Sequence, residues 1–529
     1  MKKYIISLLA IAFCMLGASS CSDFLEVPVL GQNADTPEYY NDPENAKMAL
    51  VGCYNGLAAT HKDIAFKWMF GDVRSDDAWK GGGSEGDGED ITKIREWRVP
   101  DNEGNQGSIW SGAYRAIFYC NTAITGFEYI TFDDKVKELY IAEAKAIRAY
   151  NYFMLATHFG DAPLFTKTIE TSKIKDVTRA PFAQILEQVE SDLRDAAAIL
   201  PAEYGVADAG RMTSGAAKAL HARVVMYSIG LFKTKDASAW QEVYDLTNDV
   251  INSGAYSLYP NYAEIFEIEG ENNSESVLEF QFKTTKTGWG NNQGNPSCVF
   301  IGSNGIEGNR GWGWNFCLPT QNLVDEFEDK DPRLYSTVHG NGITDYVHGV
   351  RLYVDDSQAY QTGYNTRKSA IEPAMQPTHD HSDGPANERI IRYADVLLMK
   401  AEAAYYLSKE GETRSLINQV RERARKSTYP KGYEKDKTTY VPTGFSNNLP
   451  DIAASVTGEA LMKALKHERR VEFALEGLRY WDLARWGDYK NTLPENIKAN
   501  FERRHLRGLP VLPIPQTEVT SWGLTQNPL

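Results

Sequence analysis

Alanine-rich segments with bulky side chains at helical spacing constrain the fold of this chain more than any other feature of its sequence. In YIAEAKAIRAYNYFMLATHFGDAPLF, alanines let helix axes approach closely, while tyrosine, phenylalanine and isoleucine supply bulk. Gly160 ends this helix and Pro163 prevents its resumption. Residues 211–232 and 393–407 repeat the same design. We therefore predict a mainly α fold.

The helical segments also follow one another closely. Residues 108–200 carry aromatic and aliphatic side chains at three- and four-residue steps. The helix at 393–407 meets a break at residues 409–411, and another helix follows over 413–424. Their combination of alanine and tyrosine resembles that of tetratricopeptide helix pairs, although the repeats are unevenly spaced. The sequence thus predicts tetratricopeptide-like helix pairs that form an α–α superhelix.

A large irregular, loop-rich insertion interrupts the helical pattern at residues 284–387. It is rich in Gly, Asn, Ser, Asp and Pro, as in GWGNNQGNPS and IGSNGIEGNRGWGW. A second loop, residues 72–90, is rich in glycine and acidic residues and carries Trp79. Long insertions in a compact domain are functional or disordered, and the aromatic content here argues against disorder. We expect these loops to carry a binding site.

The side chains of these loops suit a sugar ligand. The C–H faces of sugar rings stack on aromatic planes, while amide, carboxylate and guanidinium groups bond the hydroxyls. Aromatic residues in strongly helical patterns, such as Trp110 and Trp481, are expected in the core instead. The candidate ligand-binding residues are Trp79, Trp289, Asn291, Asn292, Trp312, Trp314, Tyr364 and Arg367.

The N-terminus has the composition of an export signal. Two lysines precede an apolar stretch at residues 4–16, which is short for a bilayer span, and small residues fill 17–20. Cys21 then follows as in a bacterial lipobox, in which leucine usually stands where this chain has Ala18. We expect residues 1–20 to be a lipoprotein signal peptide and Cys21 to carry the lipid. An ordinary secretory signal with an incidental cysteine is the alternative.

The acidic balance of the chain limits its partners. The formal net charge is −15 at pH 7, and no cluster rich in lysine or arginine interrupts it. Such a surface repels polyanions, so we expect no nucleic-acid partner. The glycine-rich run at residues 308–313 lacks the lysine and hydroxyl of a phosphate loop. We therefore expect no cofactor.

The cysteines beyond the N-terminal region show no CxxC spacing, which argues against a metal site built from cysteines. Cys53 and Cys120 lie in apolar helical patterns and are expected in the core. Cys298 and Cys317 lie in the loop-rich region and could pair. The sequence leaves that pairing open.

Glu468, Glu472 and Glu476 are the residues that most resemble catalytic groups. They lie along one helical face, and glycosidases use paired carboxylates. Arginines interleave with them at three- and four-residue spacing, which favours ion pairs with each other and with neighbouring helices. The HERRV run has Val471 where a zinc protease needs its second histidine. We therefore predict structural ion pairs and no catalytic residues.

Two acidic runs offer cation ligands without the pattern of a calcium loop. The runs at residues 76–90 and 325–331 lack the alternating ligands and the closing glutamate of such a loop. His379-Asp380-His381 could chelate a metal, but its composition favours a solvated loop. We predict no metal site and leave a bound cation open.

Three segments resemble those of a known family. IRYADVLLMKAEAAYYL, HERRVEFALEGLRYWDLARWG and AEAKAIRAYNYFMLATHFGDAPL are similar to the characteristic segments of the SusD/RagB family. CSDFLEVP and LPIPQTEVTSWGLTQNPL resemble the family's termini, except that Trp522-Gly523 stands where Asn-Pro is expected. Asp23 and Glu26 resemble the surface-export signal of Bacteroidetes lipoproteins. The resemblance is weakest in the loop-rich middle.

The resemblance implies a fold, a location and a partner. It implies one SusD-like domain over residues 21–529, in which a helical scaffold at 21–283 and 388–529 surrounds the loop-rich, ligand-binding region 284–387. It also implies a lipid anchor at the extracellular face of the outer membrane. The implied partner is a SusC-like TonB-dependent transporter.

The resemblance further implies a role that is not catalytic. A protein of this kind captures oligosaccharides at the cell surface and delivers them to the transporter. A surface glycoside hydrolase and a peptide-binding lid on the same scaffold are the alternatives. The identity of the glycan, its linkage and its length stay open.

Overall fold

The structure, a computed structural model, describes residues 36–62, 67–102, 104–168, 176–284, 293–303, 305–306, 309–310, 313–351, 361–372, 375, 383–435 and 438–529. Cys21, the predicted signal peptide and His379-Asp380-His381 lie outside these residues.

Helices make up most of the regular structure. The α-helices are α1 (Pro37–Tyr40), α2 (Pro43–Lys62), α3 (Glu89–Arg95), α4 (Gly104–Phe127), α5 (Asp134–Phe159), α6 (Phe182–Ile199), α7 (Ser214–Gly230), α8 (Trp240–Asn252), α9 (Ser297–Phe300), α10 (Gln321–Glu326), α11 (Pro332–Thr337), α12 (Tyr393–Tyr406), α13 (Glu410–Lys426), α14 (Gly458–Glu472), α15 (Arg479–Trp486), α16 (Tyr489–Thr492), α17 (Glu495–Arg503) and α18 (Gln516–Trp522). A π-helix spans Lys67–Val73, and 3₁₀ turns span Val206–Asp208, Ala237–Ala239, Tyr262–Glu264 and Ile268–Gly270.

The strands are short and pair as antiparallel two-stranded ribbons. They are β1 (Ala78–Gly81), β2 (Ser276–Phe280), β3 (Gly305–Ile306), β4 (Asn309–Arg310), β5 (Phe316–Pro319), β6 (Val338–Gly340), β7 (Tyr346–Val347), β8 (Val350–Arg351), β9 (Tyr364–Thr366), β10 (Glu388–Arg392), β11 (Thr428–Tyr429), β12 (Val441–Pro442), β13 (His505–Leu506) and β14 (Leu509–Pro510). The pairs are β1 with β5, β2 with β10, β3 with β4, β6 with β9, β7 with β8, β11 with β12 and β13 with β14.

The long helices pack in a continuous row. Helix α2 packs against α4, and α4 to α7 each pack against the next helix in the chain. Helix α8 packs against α12, which packs against α13 and α14. Stacked helix pairs of this kind bury a continuous core between neighbours. The predicted mainly α fold of tetratricopeptide-like helix pairs is confirmed.

Helix α5 shows how the sequence specifies one scaffold helix. Asp133 caps its N-terminus, because its carboxylate accepts from the backbone N–H of Lys135 at 2.8 Å and of Val136 at 3.3 Å. Gly160 follows the last residue with a φ of +70°, a conformation that favours glycine. Ala144 and its neighbouring alanines are buried, so α4 and α6 pack closely on α5.

The loop-rich part of the chain is closed at its base by one ribbon. Strands β2 and β10 bring Phe280 opposite Glu388 and Ser276 opposite Arg392. Between them, the described parts of residues 284–387 form only short strands and helices of four to six residues. The irregular insertion therefore starts and ends at one place on the helical scaffold.

The core contains most of the residues that helical periodicity assigns to it, although Tyr405 and Trp486 are only half-buried. Trp110 and Trp481 are buried, as are Cys53 and Cys120, which confirms these predictions. Cys298 and Cys317 are also buried, and both are free thiols. Within the described ranges, no helix combines the length and the apolar character that a bilayer span requires.

Candidate functional site

The ribbon of β1 and β5 presents an exposed indole on the loop-rich side of the protein. Trp79 lies opposite Leu318, and Gly81 lies opposite Phe316. Successive residues of a strand face opposite sides, and both neighbours of Trp79 in β1 are buried. Trp79 is 37% exposed. The ribbon therefore directs this indole outward.

Arg95 covers one face of the Trp79 indole. The guanidinium carbon lies 3.8 Å from the ring centroid, a cation–π contact that restricts the indole to one orientation. Arg95 is the last residue of α3, which packs on β1. Its Nε has no hydrogen-bond partner among the described residues. The exposed area of Trp79 therefore lies on the opposite face and edge of the ring.

Trp314 is a second exposed indole, two residues before β5. It is 36% exposed, and its ring packs edge-on against Phe300 with the centroids 4.8 Å apart. Phe300 in turn contacts the rings of Trp68 and Phe316, which are both buried. A layer of aromatic residues thus supports Trp314 from inside the protein.

A buried lysine holds the turn that follows β1. Nζ of Lys80 donates to the carbonyl oxygens of Ser84 at 2.9 Å, Glu85 at 3.1 Å and Asp87. Three acceptors match the three N–H groups of an ammonium. The carboxylate of Asp87 also accepts from the backbone N–H of Gly83 at 2.8 Å. The turn beside Trp79 is therefore fixed by its own hydrogen bonds.

Two aspartates join the ribbon to the C-terminal helices. Asp76 accepts two hydrogen bonds from Arg479, at 2.8 and 2.9 Å, and Asp77 accepts one from Arg470 at 2.8 Å. Burial raises the pKa of Asp76, but Arg479 and Arg470 lower it more, so that it lies below its ordinary value. Bidentate pairs between arginine and carboxylate are strong and directional. The segment that contains α14 and α15 therefore positions the ribbon.

Two of the predicted ligand residues are buried. The hydroxyl of Tyr364 donates to Oε1 of Gln321 at 2.8 Å. Nη1 of Arg367 lies 3.3 Å from Glu267, and Nη2 donates to the carbonyl of Lys431 at 2.7 Å. These contacts hold the loops together from inside. Contact of either residue with a ligand stays a prediction.

The other predicted residues fall into two groups. Trp79 and Trp314 lie on the β1–β5 ribbon and its approach. The residues outside the described part of the chain are Trp289, Asn291, Asn292 and Trp312. The structure therefore brings together two of the eight residues as exposed groups on one element.

The sequence does not point to two other residues of this site. Arg95 stacks on Trp79, and Oε1 of Gln361 accepts from the backbone N–H of Gly81 at 2.9 Å. Gln361 comes from the far part of the insertion, 280 residues along the chain. Contacts between such distant residues leave no periodic pattern. For Arg95, a cation at the end of a short helix beside a tryptophan-bearing loop is the one available signal.

The carboxylates that resemble a catalytic pair are fully buried in ion pairs. Nη1 of Arg333 lies 2.6 Å from Glu468 and 3.1 Å from Glu472. Arg392 and Arg423 also pair with Glu472. Burial raises the pKa of Glu472, but these arginines lower it more, so that it lies below its ordinary value. The predicted structural ion pairs are confirmed, and a catalytic acid requires a raised pKa instead.

The acidic run at residues 325–331 is neutralised by cations of the protein itself. Asp331 pairs with Arg333 at 2.8 Å. Glu326 lies 2.7 Å from a ring nitrogen of His467 and 2.9 Å from Arg470. These pairs give the carboxylates a structural role at the end of α10, at the start of α11 and near α14.

Two family models match this chain. A model described as the SusD family matches residues 274–529. A model described as starch-binding, associating with outer membrane, matches residues 35–226. The two matched segments include most of the helical row, the β1–β5 ribbon and the C-terminal helices that hold it, whereas α8 lies between the two segments.

Similar proteins extend over nearly the whole chain. SusD-like protein P38 of Formosa agariphila is 25% identical over 516 residues, which cover 92% of this chain and 92% of that protein. The solved structure of a laminarin binding SusD-like protein is 27% identical, with a TM-score of 0.74, and covers 92% of this chain and 100% of its own. Surface glycan-binding protein A from Bacteroides fluxus is 25% identical, with a TM-score of 0.73, over 92% and 99% of the two chains.

Proposed function

This chain belongs to the SusD/RagB family, and on that premise we propose that it is a cell-surface lipoprotein that binds glycans and delivers oligosaccharides to a SusC-like TonB-dependent outer-membrane transporter. One observation carries the glycan-binding part of the proposal. The β1–β5 ribbon and its approach present two half-exposed indoles, Trp79 and Trp314, on a supported surface.

The chemistry of this surface fits a sugar. An indole offers a large flat area for the C–H face of a sugar ring at a low cost in side-chain entropy. Arg95 and the aromatic layer under Trp314 already restrict the two indoles, so binding orders little. The residues that we propose to contact the ligand are Trp79, Trp289, Asn291, Asn292, Trp312, Trp314, Tyr364 and Arg367.

The similar proteins favour a glycan over a peptide as cargo. One of the solved structures is named as laminarin binding and another as a glycan-binding protein, and both are similar over nearly the whole chain. The peptide-binding alternative uses the same scaffold and differs only in cargo. Laminarin, a neutral glucan, is therefore the first ligand to test.

Binding without hydrolysis is supported by the state of the buried carboxylates. A glycosidase needs one carboxyl group with a raised pKa facing the substrate. Glu468 and Glu472 are fully buried, and Arg333 contacts both. Although burial raises it, Arg392 and Lys368 hold the pKa of Glu476 at about 2. Glu472 and Glu476 are therefore held as carboxylates, and burial closes all three side chains to a substrate.

We propose that Cys21 carries the lipid and that residues 21–529 form one SusD-like domain at the extracellular face of the outer membrane. The description of one matched family model, associating with outer membrane, supports this location. Replacement Cys21→Ala in the native host should move the protein from the membrane fraction to the soluble fraction of the envelope or the medium. Retention of the variant in the membrane would contradict the lipid anchor.

Titration calorimetry with laminarin and a panel of other oligosaccharides tests glycan binding. Trp79→Ala and Trp314→Ala should each weaken binding of the recognised glycan about 10-fold or more, because truncation of a tryptophan anchor at a binding surface costs on the order of 2 kcal/mol. Tyr129→Ala is the matched control, since this aromatic is also exposed, at 43%, but lies in the α4–α5 loop. Its affinity should equal that of the wild type.

The alternatives give different results in the same experiment. Failure to bind any glycan in the panel would contradict the proposal and favour a peptide cargo. Release of reducing sugar by the purified protein, lost on Glu472→Gln, would favour a surface hydrolase. For the partner, co-purification of the transporter with wild-type protein from outer membranes is expected, and its absence under mild detergent would contradict delivery to a transporter.

A further inference from the structure

Three side chains that suit a metal ion converge from consecutive helices of the scaffold, away from the β1–β5 ribbon. Glu190 lies on α6, His221 on α7 and Glu242 on α8. One ligand atom from each lies within 4.8 Å of the other two. Glu190 is 8% exposed and His221 is 4% exposed, while Glu242 is half-buried. The cluster is therefore part of the packed scaffold, with one edge open to solvent.

The imidazole of His221 points into this cluster with an unsatisfied nitrogen. Its Nε2 has no hydrogen-bond partner among the residues that the structure describes. Nε2 lies 3.5 Å from Oε1 of Glu242 and 3.8 Å from Oε2 of Glu190. A good N–H···O hydrogen bond is about 2.9–3.0 Å long. Two ligands on one tetrahedral zinc ion, bound at about 2.0–2.1 Å each, are about 3.4 Å apart.

A lysine occupies part of the cluster. Nζ of Lys235 lies 2.9 Å from Oε2 of Glu190 and 3.0 Å from Oε2 of Glu242. This one positive charge faces two carboxylates, and it does not satisfy the imidazole nitrogen. A divalent cation would balance both carboxylates and take the nitrogen as well. The Lys235 side chain is 28% exposed and borders a wide surface depression, so it can turn out to solvent.

We propose that Glu190, His221 and Glu242 bind one zinc ion, and that Lys235 is the cation that fills the cluster when zinc is not bound. One imidazole nitrogen and two carboxylates are ligands that zinc accepts, whereas magnesium and calcium prefer oxygen ligands alone. Water from the open edge would provide the fourth ligand. Because the ligands come from α6, α7 and α8, the ion would tie three successive helices together.

Zinc chloride titration of the untagged full-length protein tests this site. We expect one zinc ion per chain by calorimetry, and tetrahedral d–d absorption bands when Co²⁺ replaces zinc. His221→Gln should weaken zinc binding at least 100-fold. Lys235→Met should tighten it about 10-fold, because the competing ammonium is gone. Lys218→Met is the matched control, since Lys218 pairs with Asp249 on the surface of α7 and α8.

His467→Gln separates this site from another histidine that lies between carboxylates. His467 contacts Glu326 and Glu328 at 2.7 and 3.2 Å, which are hydrogen-bond distances. Its replacement should leave zinc stoichiometry and affinity unchanged. Glu242→Gln, a change at the open edge, should also weaken zinc binding. It replaces His221→Gln as the test if that variant fails to fold. Stoichiometric binding that persists in both ligand variants, or no binding by wild type and Lys235→Met alike, would overturn the proposal.

Discussion

Arg333 illustrates how single buried charges hold this protein together. It is fully buried and lies between Asp331, Glu468 and Glu472. Burial lowers the pKa of Arg333, but these carboxylates outweigh burial and raise the pKa well above its ordinary value. The guanidinium is thus the cation that three acidic groups share. Its loss leaves uncompensated buried charge, which is far more destabilising than the loss of an exposed pair.

Replacement Arg333→Met should therefore lower the free energy of unfolding by about 3–5 kcal/mol, measured by urea denaturation. The methionine keeps much of the volume but leaves Asp331 without its cation, and it removes one of the cations that pair with Glu468 and Glu472. Lys426→Met is the control, because Lys426 and its partner Glu422 form an exposed pair one helical turn apart. The control should unfold like the wild type. An unchanged midpoint for Arg333→Met would show that the buried network contributes little to stability.

His467 gives the protein a pH-dependent contribution to stability. Burial lowers the pKa of His467, but the hydrogen bonds that its ring donates to Glu326 and Glu328 raise this pKa to about 9, above the ordinary value of 6.5. This contribution is complete below about pH 6.5 and is lost as the pH rises through 9. The hydrogen bond with His467 lowers the pKa of Glu328 to about 2. The stability that the Glu328 carboxylate contributes is therefore present above about pH 4.5 and is lost on acidification.

The difference in unfolding free energy between wild type and His467→Gln should thus be largest between about pH 4.5 and 6.5. It should shrink towards pH 9.5, where the folded protein has lost the imidazolium charge. Denaturation curves at pH 5, 6, 7.5 and 9.5 measure it. A difference that stays constant over this range would mean that the pair is not ionic.

Sequence patterns predict the environment of a residue only where periodicity applies. Helical spacing assigns Trp110 and Trp481 to the core, and both are buried there. Composition alone assigns Tyr364 and Arg367 to a ligand, and both are buried in the structure. A loop has no repeating face, so the direction of its side chains depends on distant contacts that the local sequence does not contain.

At the scale of elements, the π-helix at Lys67–Val73 packs against the turn between α14 and α15. A Cβ added at Gly71 would lie 2.0 Å from the carbonyl oxygen of Gly477. Gly477 itself has a φ of +77°, which favours glycine. Two glycines therefore allow the backbones of the two segments to touch. The π-helix leads directly into β1, so this contact helps to place the ribbon.

Replacement Gly71→Ala should destabilise the protein by about 1–3 kcal/mol, because the backbones must separate to admit a methyl group. Gly52→Ala is the matched control. Gly52 lies inside α2, and a Cβ there would meet nothing within 4 Å. Alanine should stabilise that helix by about 0.5–1 kcal/mol. Thermal denaturation of both variants measures these changes in stability. A Gly71→Ala protein as stable as the wild type would contradict the close contact.

The elements divide into those that the sequence predicts and those that it does not. The long helices are predicted from their alanine content, their helical periodicity and end signals such as Gly160. The β1–β5 ribbon pairs residue 78 with residue 319, and its two strands have four residues each. Strands this short carry no clear alternation, and their partners are set by tertiary packing. The element that presents the candidate site is therefore the hardest to predict.

At the scale of the whole molecule, the net charge of −15 sets how salt affects ligand binding. Stacking and hydrogen bonds to a neutral sugar involve no net charge, whereas an anionic ligand meets an unfavourable field. Salt shortens the reach of that field, to about 10 Å at 0.1 M.

Affinity for a neutral glycan should thus change less than about twofold between 50 and 500 mM NaCl. A sulfated or carboxylated oligosaccharide of equal length should bind more weakly at the lower salt concentration. Calorimetry with such a matched pair measures both effects. A steep loss of affinity for the neutral glycan with added salt would show that charged groups dominate its recognition.

The hydrogen bonds of Asp76 with Arg479 and of Asp77 with Arg470 also affect the order of folding. They join residues 403 and 393 positions apart in the chain. A domain synthesised from its N-terminus builds its local helix pairs early, whereas such non-local contacts form late. The surface that carries Trp79 is therefore completed only after nearly the whole polypeptide has emerged. A chain cut short before α15 would keep much of its helical row and still lack a finished ligand-binding surface.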